Sequence, residues 1–226
     1  MFERTIGLIG ENNFKKIQKA SILIVGVGGV GGICLEALVR SGIKNIICID
    51  NDVFSLSNLN RQIICTNKNI NKDKITEALI RMKNINNDIN IVPLNIFLDK
   101  NNIDILDNYK IDYIIDACDT IETKIELVKY ALKHNIKIIS SMGTGKKIDP
   151  TKLCITTISK TFNDPLAKVI RKRLKEENIT FDLPVISSSE SILTKGNVIA
   201  SMMFVPSVAG LYLAYYVIND LIKIKE

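Results

Sequence analysis

The sequence lacks the features of a secreted protein and of a zinc-stabilised fold. Its five cysteines are an odd number and include no C-x-x-C pair, so we expect neither a disulfide framework nor a Cys-rich zinc site. Met1 is followed by Phe2-Glu3-Arg4 and not by an apolar h-region, so we expect a cytoplasmic chain without a secretory signal. The single histidine, His134, is expected to lie on the surface rather than to act as a base.

Internal repeats, low-complexity tracts and linkers rich in Pro and Gly are also missing from the sequence. With 226 residues, of which 46% are hydrophobic and 24% are charged, the chain is typical of one compact globular domain. The net charge of +6 rests on an excess of Lys over Arg. Because Lys is a common solubilising residue, this charge alone does not decide whether a nucleic acid binds.

One stretch of 24 residues, 196–219, carries no charge and is long enough to span a bilayer. Pro206 and Gly210 interrupt it, and the sequence has no second stretch of this kind, so we expect no membrane partner. We expect instead a buried helix from Val198 to Ile218 in a homodimer. A monomer of this size would struggle to cover an apolar helix on all sides, whereas a two-fold interface offers a second apolar surface.

Apolar runs of strand length alternate with amphipathic stretches of helical length. Strands that are apolar throughout are typical of a parallel sheet covered on both faces. The sequence therefore predicts an α/β fold: a doubly wound, Rossmann-like, mainly parallel sheet with helices on both faces and a C-terminal extension that ends in the buried apolar helix. The predicted strands are 21–26, 45–50, 89–94, 112–117, 137–141 and 153–159. The predicted helices are an N-terminal one, 30–40, 72–85, 101–106, 121–133 and the basic 165–177, and a Ser-rich loop is predicted at 187–191.

A glycine-rich loop lies between the first predicted strand and the first helix after it. It contains Gly26, Gly28, Gly29 and Gly31, which permit a tight turn and let backbone amides approach a phosphate at the helix N-terminus. Asp50 ends the second strand, where an acid accepts hydrogen bonds from a ribose in dinucleotide-binding folds. The pattern predicts nucleotide binding, and it fits ATP and a nicotinamide dinucleotide equally well.

Polar residues at other strand ends favour ATP. Arg61 follows the second strand, Lys74 opens the next helix, and Asp119 follows the fourth strand. Arg and Lys can offset the charge of a triphosphate, and a carboxylate can hold Mg²⁺ against its oxygens. Taken singly, Arg61 and Lys74 are equally well read as solvated surface charges and Asp119 as a helix cap. As a set at the carboxyl ends of the strands, they predict a site for ATP and Mg²⁺.

These residues lie within a series of motifs in a familiar order: Gly26-x-Gly28-Gly29-x-Gly31, Asp50-x-Asp52, Ser57-Asn58-Leu59-Asn60-Arg61-Gln62, Lys74 and Asp116-x-x-Asp119. In this series the sequence resembles the ThiF/MoeB family of ATP-dependent adenylating enzymes. The resemblance implies nucleotide contacts in the Asp50-x-Asp52 motif, with Asp50 on the ribose, phosphate contacts by Asn58, Arg61 and Lys74, and Mg²⁺ at Asp119. It also implies that an N-terminal arginine, here Arg4, reaches across a homodimer to the partner's triphosphate.

Two departures narrow the resemblance. Sulfur-carrier activators of the family usually carry paired C-x-x-C zinc ligands, and ubiquitin-type activators need a transfer cysteine; neither is recognisable here. Further motifs instead resemble the tRNA threonylcarbamoyladenosine dehydratases of the family. They are Arg4-Thr5-x-x-Leu8-x-Gly10-Glu11, Lys160-Thr161-x-x-Asp164-Pro165-Leu166, Ser187-Ser188-Ser189-Glu190 and Phe204-Val205-Pro206.

The narrower resemblance implies adenylation of the threonyl carboxylate on a modified adenosine beside the tRNA anticodon, followed by ring closure that releases AMP. A tethered nucleophile needs no catalytic cysteine, because effective molarity replaces it. The expected domain has a nucleotide-binding core over 1–150 and an extension over 151–226 for substrate binding and dimerisation. A cysteine desulfurase or sulfur-acceptor system is a further candidate partner.

The basic helix predicted at 165–177 is a candidate tRNA-binding surface. Lys168, Arg171, Lys172 and Lys175 are spaced three or four residues apart and so share one helix face. The alternative is a solvated face balanced by the two glutamates that follow.

Three other functions stay open at this point. An activator of a small ubiquitin-like sulfur carrier would use the same nucleotide site. An NAD(P)-linked oxidoreductase would use Asp50 and the glycines but would leave Arg61, Lys74 and Asp119 unexplained. A catalytically inactive scaffold would need none of the polar set.

Overall fold

The computed structural model describes residues 1–194, 196 and 199–223. Its strands are β1 (Ser21–Val25), β2 (Asn45–Ile49), β3 (Asn90–Leu94), β4 (Tyr113–Asp116), β5 (Lys137–Ser141), β6 (Leu153–Thr157) and β7 (Pro184–Ser188). They form one sheet in the order β3-β2-β1-β4-β5-β7-β6. Neighbouring strands are parallel except β6, which is antiparallel to β7. The predicted doubly wound, mainly parallel sheet is confirmed.

Helices cover both faces of this sheet. They are α1 (Glu3–Ile9), α2 (Glu11–Lys19), α3 (Gly31–Ser41), α4 (Lys74–Ile85), α5 (Ile121–Lys133), α6 (Pro165–Glu176) and α7 (Phe204–Ile222). Strand β1 shows how the two faces are built, because all five of its residues are buried and alternate in direction. Ile22 and Ile24 pack with α2, α3, α4 and α7, whereas Leu23 and Val25 pack with α5 and α6.

Three predicted elements differ from the structure. The helix expected at 101–106 is a 3₁₀ helix over Ile103–Asn108. The expected N-terminal helix is two helices, α1 and α2, which meet at Gly10 where φ is +79°. The loop predicted at 187–191 is wrong at Ser187 and Ser188, because both are buried in β7 between two neighbouring strands. Their burial is tolerated because both hydroxyl groups have partners: Ser187 Oγ donates to Asp164 Oδ2, and Ser188 Oγ accepts from Glu190 N.

The long uncharged segment forms α7, which begins at Phe204; Val198, where the helix was expected to begin, lies outside the described residues. Pro206 stands in the first turn of α7, where the missing N–H costs nothing. Gly210 packs on the start of α3, since a Cβ there would lie 2.4 Å from the Val30 carbonyl oxygen.

Only one face of α7 is buried. Phe204, Leu211 and Tyr215 are 54%, 49% and 55% exposed. The single chain leaves this face exposed, and the expected burial of α7 in a homodimer stays a prediction. By length and composition alone α7 could cross a membrane, and 44% of the apolar stretch that meets this criterion is buried.

Candidate active site

A cavity of about 740 Å³ lies at the carboxyl ends of β1, β2, β4 and β5. Gly26, Asp50, Ala117 and Met142 each follow one of these strands and line the cavity wall. The strand order reverses between β1 and β4, and such a reversal leaves a crevice in which ligands bind. The cavity is therefore the candidate active site.

The four loop glycines form two pairs with different roles. Gly26 has φ of +89°, and a Cβ at Gly31 would lie 1.8 Å from the Gly26 carbonyl oxygen, so this pair closes the turn. Gly28 and Gly29 line the cavity, and added Cβ atoms there would meet no atom closer than 3.4 Å. Their missing side chains leave the wall of the cavity open, which fits a phosphate beside the N-terminus of α3.

Asp50 fastens the glycine loop to the end of β2. Its Oδ2 accepts a hydrogen bond from Val27 N (2.7 Å), and its Oδ1 accepts one from Asp52 N (2.9 Å). A carboxylate can accept about four hydrogen bonds, so two acceptor positions remain on a side chain that lines the cavity. The expected contact of Asp50 with a ribose stays a prediction.

Lys74 and Asp52 form an ion pair in the cavity wall. Lys74 is the first residue of α4, its side chain is 8% exposed, and its Nζ lies 2.7 Å from Asp52 Oδ2. Asp52 itself is 63% exposed at the side chain. The pairing holds the ammonium group of Lys74 at one place on the wall, as a phosphate-binding point charge requires.

Arg61 and Asn58 were expected to share a role, but the structure separates them. Arg61 lines the cavity, and its Nη1 donates to Ser57 O (2.7 Å) and to Asn60 Oδ1 (3.2 Å), which leaves other guanidinium hydrogens for a ligand. Asn58 is buried outside the cavity lining, and its Oδ1 accepts from Ser55 N (3.0 Å). Asn58 therefore holds the short 3₁₀ helix that presents Arg61.

Asp119 is an exposed residue whose carboxylate lines the cavity. The N-cap position of α5 is occupied by Thr120, so the reading of Asp119 as a helix cap is wrong. Among the described residues its carboxylate has no hydrogen-bond or ion-pair partner. A carboxylate without a protein partner in the cavity wall fits Mg²⁺, which takes one or two protein carboxylates and fills its other positions with phosphate oxygens and water.

A buried ion pair lies beneath the Asp119 loop. Asp116 and Lys124 are both fully buried, with Lys124 Nζ 2.9 Å from Asp116 Oδ2. The same Nζ donates to Ser140 Oγ (3.1 Å) and to Ser141 O (2.8 Å), so all three ammonium hydrogens are used. The pair joins the ends of β4 and β5. Lys124 was not predicted as part of the site, although a lysine on the apolar face of the predicted helix indicates a buried charge that needs a partner.

Cys118, which also lines the cavity, is unsuited to be a nucleophile. Burial first, and the adjacent Asp116 carboxylate second, raise the pKa of the Cys118 thiol well above its usual range. Its Sγ donates to Asp116 Oδ1 (3.1 Å). The thiol form is unreactive compared with the thiolate, so the site contains no activated sulfur at this position.

Other parts of the cavity wall are formed by groups for which the sequence predicted no role. They are Gln62, whose buried Oε1 has no partner in the described part of the chain, the loop 143–147 after β5, and Asp164. Glycines at 143 and 145 were the available sequence signal for the loop.

Several expected site residues lie away from this cavity. Arg4 is exposed on α1 and does not line the cavity of its own chain. Lys168, Lys172 and Lys175 are exposed on α6. His134 lies on the surface as expected.

Arg171 departs from the expected basic face. Its Nη1 donates to Ile158 O (2.9 Å), Thr161 O (3.1 Å) and Thr161 Oγ1 (2.6 Å). Arg171 is turned back to hold the 3₁₀ helix before α6, and the exposed basic face is reduced to the three lysines, of which Lys172 pairs with Glu176 at 3.6 Å.

Comparison with known proteins shows the family of this chain. Residues 2–222 match the sequence model of the ThiF family. The chain belongs to the ThiF family. This ThiF-family chain is 37% identical over 240 aligned positions to the tRNA threonylcarbamoyladenosine dehydratase of Bacillus subtilis, covering 98% of this chain and 94% of that one. It is 35% identical over 176 positions to the dehydratase of the same name from Escherichia coli K12, covering 78% of this chain and 66% of that one.

Solved structures extend this similarity to the fold of the ThiF-family chain. The E. coli tRNA N6-threonylcarbamoyladenosine dehydratase TcdA in complex with ATP has a TM-score of 0.93 at 29% identity, covering 98% of this chain and 93% of that one. The same E. coli protein in complex with AMP also has a TM-score of 0.93, at 28% identity.

Proposed function

We propose that the chain is an ATP-dependent tRNA threonylcarbamoyladenosine dehydratase. The observation that carries this proposal is the similarity to the Bacillus subtilis dehydratase along nearly the whole of both chains. The cavity supports it, because the glycine loop, Arg61, Lys74 and Asp119 converge there.

The first step is adenylation of the substrate. The threonyl carboxylate attacks the α-phosphate of ATP, a bond from its oxygen to phosphorus forms, and pyrophosphate leaves. Arg61 and Lys74 offset the charge that develops on the phosphates. Asp119 would hold Mg²⁺, which when bound neutralises phosphate oxygens. Arg4 of the partner subunit would add a guanidinium whose planar fork meets two oxygens.

The second step closes a ring on the same modification. A nitrogen or oxygen of the carbamoyl-adenosine group attacks the activated acyl carbon and displaces AMP, and one N–H proton of that group passes to solvent. The net change in the tRNA is the loss of one water. Because the nucleophile is tethered to the acyl group, the protonated thiol of Cys118 is not needed.

We infer further that the chain works on tRNA as a cytoplasmic homodimer without a membrane partner. Phe204, Leu211 and Tyr215 are spaced along one face of α7 and form an exposed apolar stripe suited to a two-fold interface. The exposed lysines of α6 would contact the tRNA backbone. A cysteine desulfurase or sulfur-acceptor system stays a candidate partner.

ATP–pyrophosphate exchange tests the substrate class. We expect exchange stimulated by tRNA that carries threonylcarbamoyladenosine and not by a small ubiquitin-like carrier. Stimulation by the carrier alone would assign the chain to sulfur-carrier activation. Calorimetric binding of NADH in preference to ATP and Mg²⁺ would instead assign it to the oxidoreductases.

A further inference from the structure

A second glycine-containing loop forms the end of the cavity away from the phosphate loop. It runs from Gly143 to Lys147 directly after β5, and all five of its residues line the cavity. The loop is closely packed, because a Cβ at Gly143 would lie 3.1 Å from Asp164 Oδ1 and a Cβ at Gly145 would lie 2.5 Å from Ile199 Cγ2. Two glycines therefore let this loop approach its neighbours.

Asp164 fixes the backbone of this loop. Its side chain is fully buried, and its Oδ2 accepts from Gly143 N (3.0 Å) and from Ser187 Oγ (3.2 Å). Its Oδ1 accepts from Ala167 N (3.1 Å) at the start of α6. Both oxygens are thus engaged, one by the helix and one by the loop.

Lys147 supplies the balancing charge. Its side chain is 1% exposed, its Nζ lies 3.7 Å from Asp164 Oδ2, and it donates to Ser188 O (3.1 Å). Burial lowers the pKa of Lys147, and the neighbouring Asp164 opposes that shift. A buried pair of this kind is a poor source of stability, because desolvation offsets much of the attraction. Fixing a loop geometry is the better account of why the pair is there.

The loop offers hydrogen-bond donors to the cavity. Gly143 N is used by Asp164, and Lys146 N donates to Ala200 O (2.7 Å). Between them, the backbone N–H groups of Thr144 and Gly145 have no acceptor among the described residues, although both residues are half-buried. A backbone N–H group pairs with a protein acceptor, with water or with a ligand, so two adjacent N–H groups without a protein acceptor in a cavity wall fit an oxygen atom of a ligand.

The neighbourhood of these donors is apolar. Met142, Leu166, Ile192 and Ile199 line the same end of the cavity. Such a mixture of an apolar wall with a few fixed donors is typical of a small-molecule subsite. The loop follows β5, which β4 separates from β1 and its glycine loop, so we assign this side of the cavity to the second substrate.

We propose that the loop 143–147 is the acceptor subsite, in which the Thr144 and Gly145 amides bind an oxygen of the substrate's carbamoylated amino acid group, and that Asp164 and Lys147 are positioning residues for these amides. The inference rests on the proposed function and names the place in the cavity where its second substrate binds. The apolar wall receives the aliphatic part of the amino acid.

Asp164→Asn tests the proposal. Asn supplies one oxygen where the loop and α6 need two, so its NH₂ group must face either Gly143 N–H or Ala167 N–H. We expect KM for tRNA carrying threonylcarbamoyladenosine to rise, or kcat to fall, at least tenfold, while Kd for ATP measured by calorimetry stays within twofold of wild type. Unchanged ATP affinity would show that the nucleotide-binding half is folded, because a general loss of structure would also abolish ATP binding.

A matched control is Asp182→Asn. Asp182 also accepts from a backbone N–H and a serine hydroxyl, those of Ser159, but it lies on the exposed side of the chain. We expect wild-type kinetics from this variant. The double variant Asp164→Asn with Lys147→Met removes both buried charges. It should stay impaired toward tRNA, whereas recovery to wild-type KM and kcat would show that an unpaired charge, not the loop geometry, caused the defect.

Gly143→Ala provides a second test in case Asp164→Asn does not fold. Its Cβ presses on Asp164 Oδ1 without removing a charge, so it should raise KM for the tRNA or lower kcat, again with ATP affinity retained. Wild-type turnover with unaltered tRNA kinetics in Asp164→Asn and Gly143→Ala would overturn the acceptor subsite alone. A wild-type chain that removes no water from the tRNA would overturn the proposed function and this inference with it.

Discussion

Replacing Lys124 by Met removes one partner of an ion pair whose two side chains are both fully buried. The carboxylate of Asp116 would then keep its hydrogen bonds from Ser140 and Cys118 but lose its counter-charge. Breaking a buried pair on one side costs about 3–5 kcal/mol. For a domain of this size, where 1 kcal/mol moves Tm by about 2–4 °C, we expect Lys124→Met to lower Tm by roughly 6–20 °C.

Thermal and urea unfolding followed by circular dichroism measure this loss. Lys129→Met on the same helix is the matched control, because Lys129 is 38% exposed and its ion pairs, with Glu126 (2.9 Å) and with Glu177, lie at the surface. A surface pair contributes about 0–1 kcal/mol, so this control should stay close to wild type. The double variant Lys124→Met with Asp116→Asn removes both charges and should recover much of the lost stability. The reasoning is refuted if Lys124→Met unfolds with the same midpoint as Lys129→Met.

The remaining predictions concern the nucleotide and RNA contacts. Asp119→Asn should lower turnover more than tenfold with an unchanged unfolding midpoint, and activity above about a tenth of wild type, roughly 1.4 kcal/mol of barrier, would contradict its role in holding Mg²⁺. Arg4→Ala should be inactive alone, yet mixing it with Asp119→Asn subunits should restore activity if Arg4 acts in the partner's site; a mixture that stays inactive after proven subunit exchange would exclude this. Changing Lys168, Lys172 and Lys175 to Glu should weaken tRNA binding and flatten its salt dependence, whereas equal affinity at several salt concentrations would place the RNA elsewhere.

The sequence predicted the sheet well because its signal is local and repeated. Apolar runs such as Ser21–Val25 are buried on both faces, and only a parallel central strand needs that composition. The glycine loop was also predictable, because the positive φ of Gly26 and the approach of Gly31 to the Gly26 carbonyl oxygen are local, although Gly26 also packs against the backbone of Ala117. Secondary structure was less predictable where contacts with residues distant in sequence determine it, as for the buried serines of β7.

The direction of individual side chains could not be read from spacing. Arg171 shares a helix face with three exposed lysines, but carbonyl groups of Ile158 and Thr161 bind its guanidinium. Asn58 lies in a phosphate-binding motif, yet it bonds to the backbone three residues away. Lys147 and Asp164 come from two segments that meet only in the folded chain, so no local sequence pattern predicted their ion pair.

Mass spectrometry of nucleosides from treated tRNA tests the central claim most directly. The protein is incubated with ATP, Mg²⁺ and tRNA that carries threonylcarbamoyladenosine. The tRNA is then digested, and the mass of the modified nucleoside is measured. The proposed function predicts that this nucleoside loses one water, that AMP accumulates in equal amount, and that both changes require ATP. An unchanged nucleoside mass in the presence of ATP-bound, folded protein would contradict it.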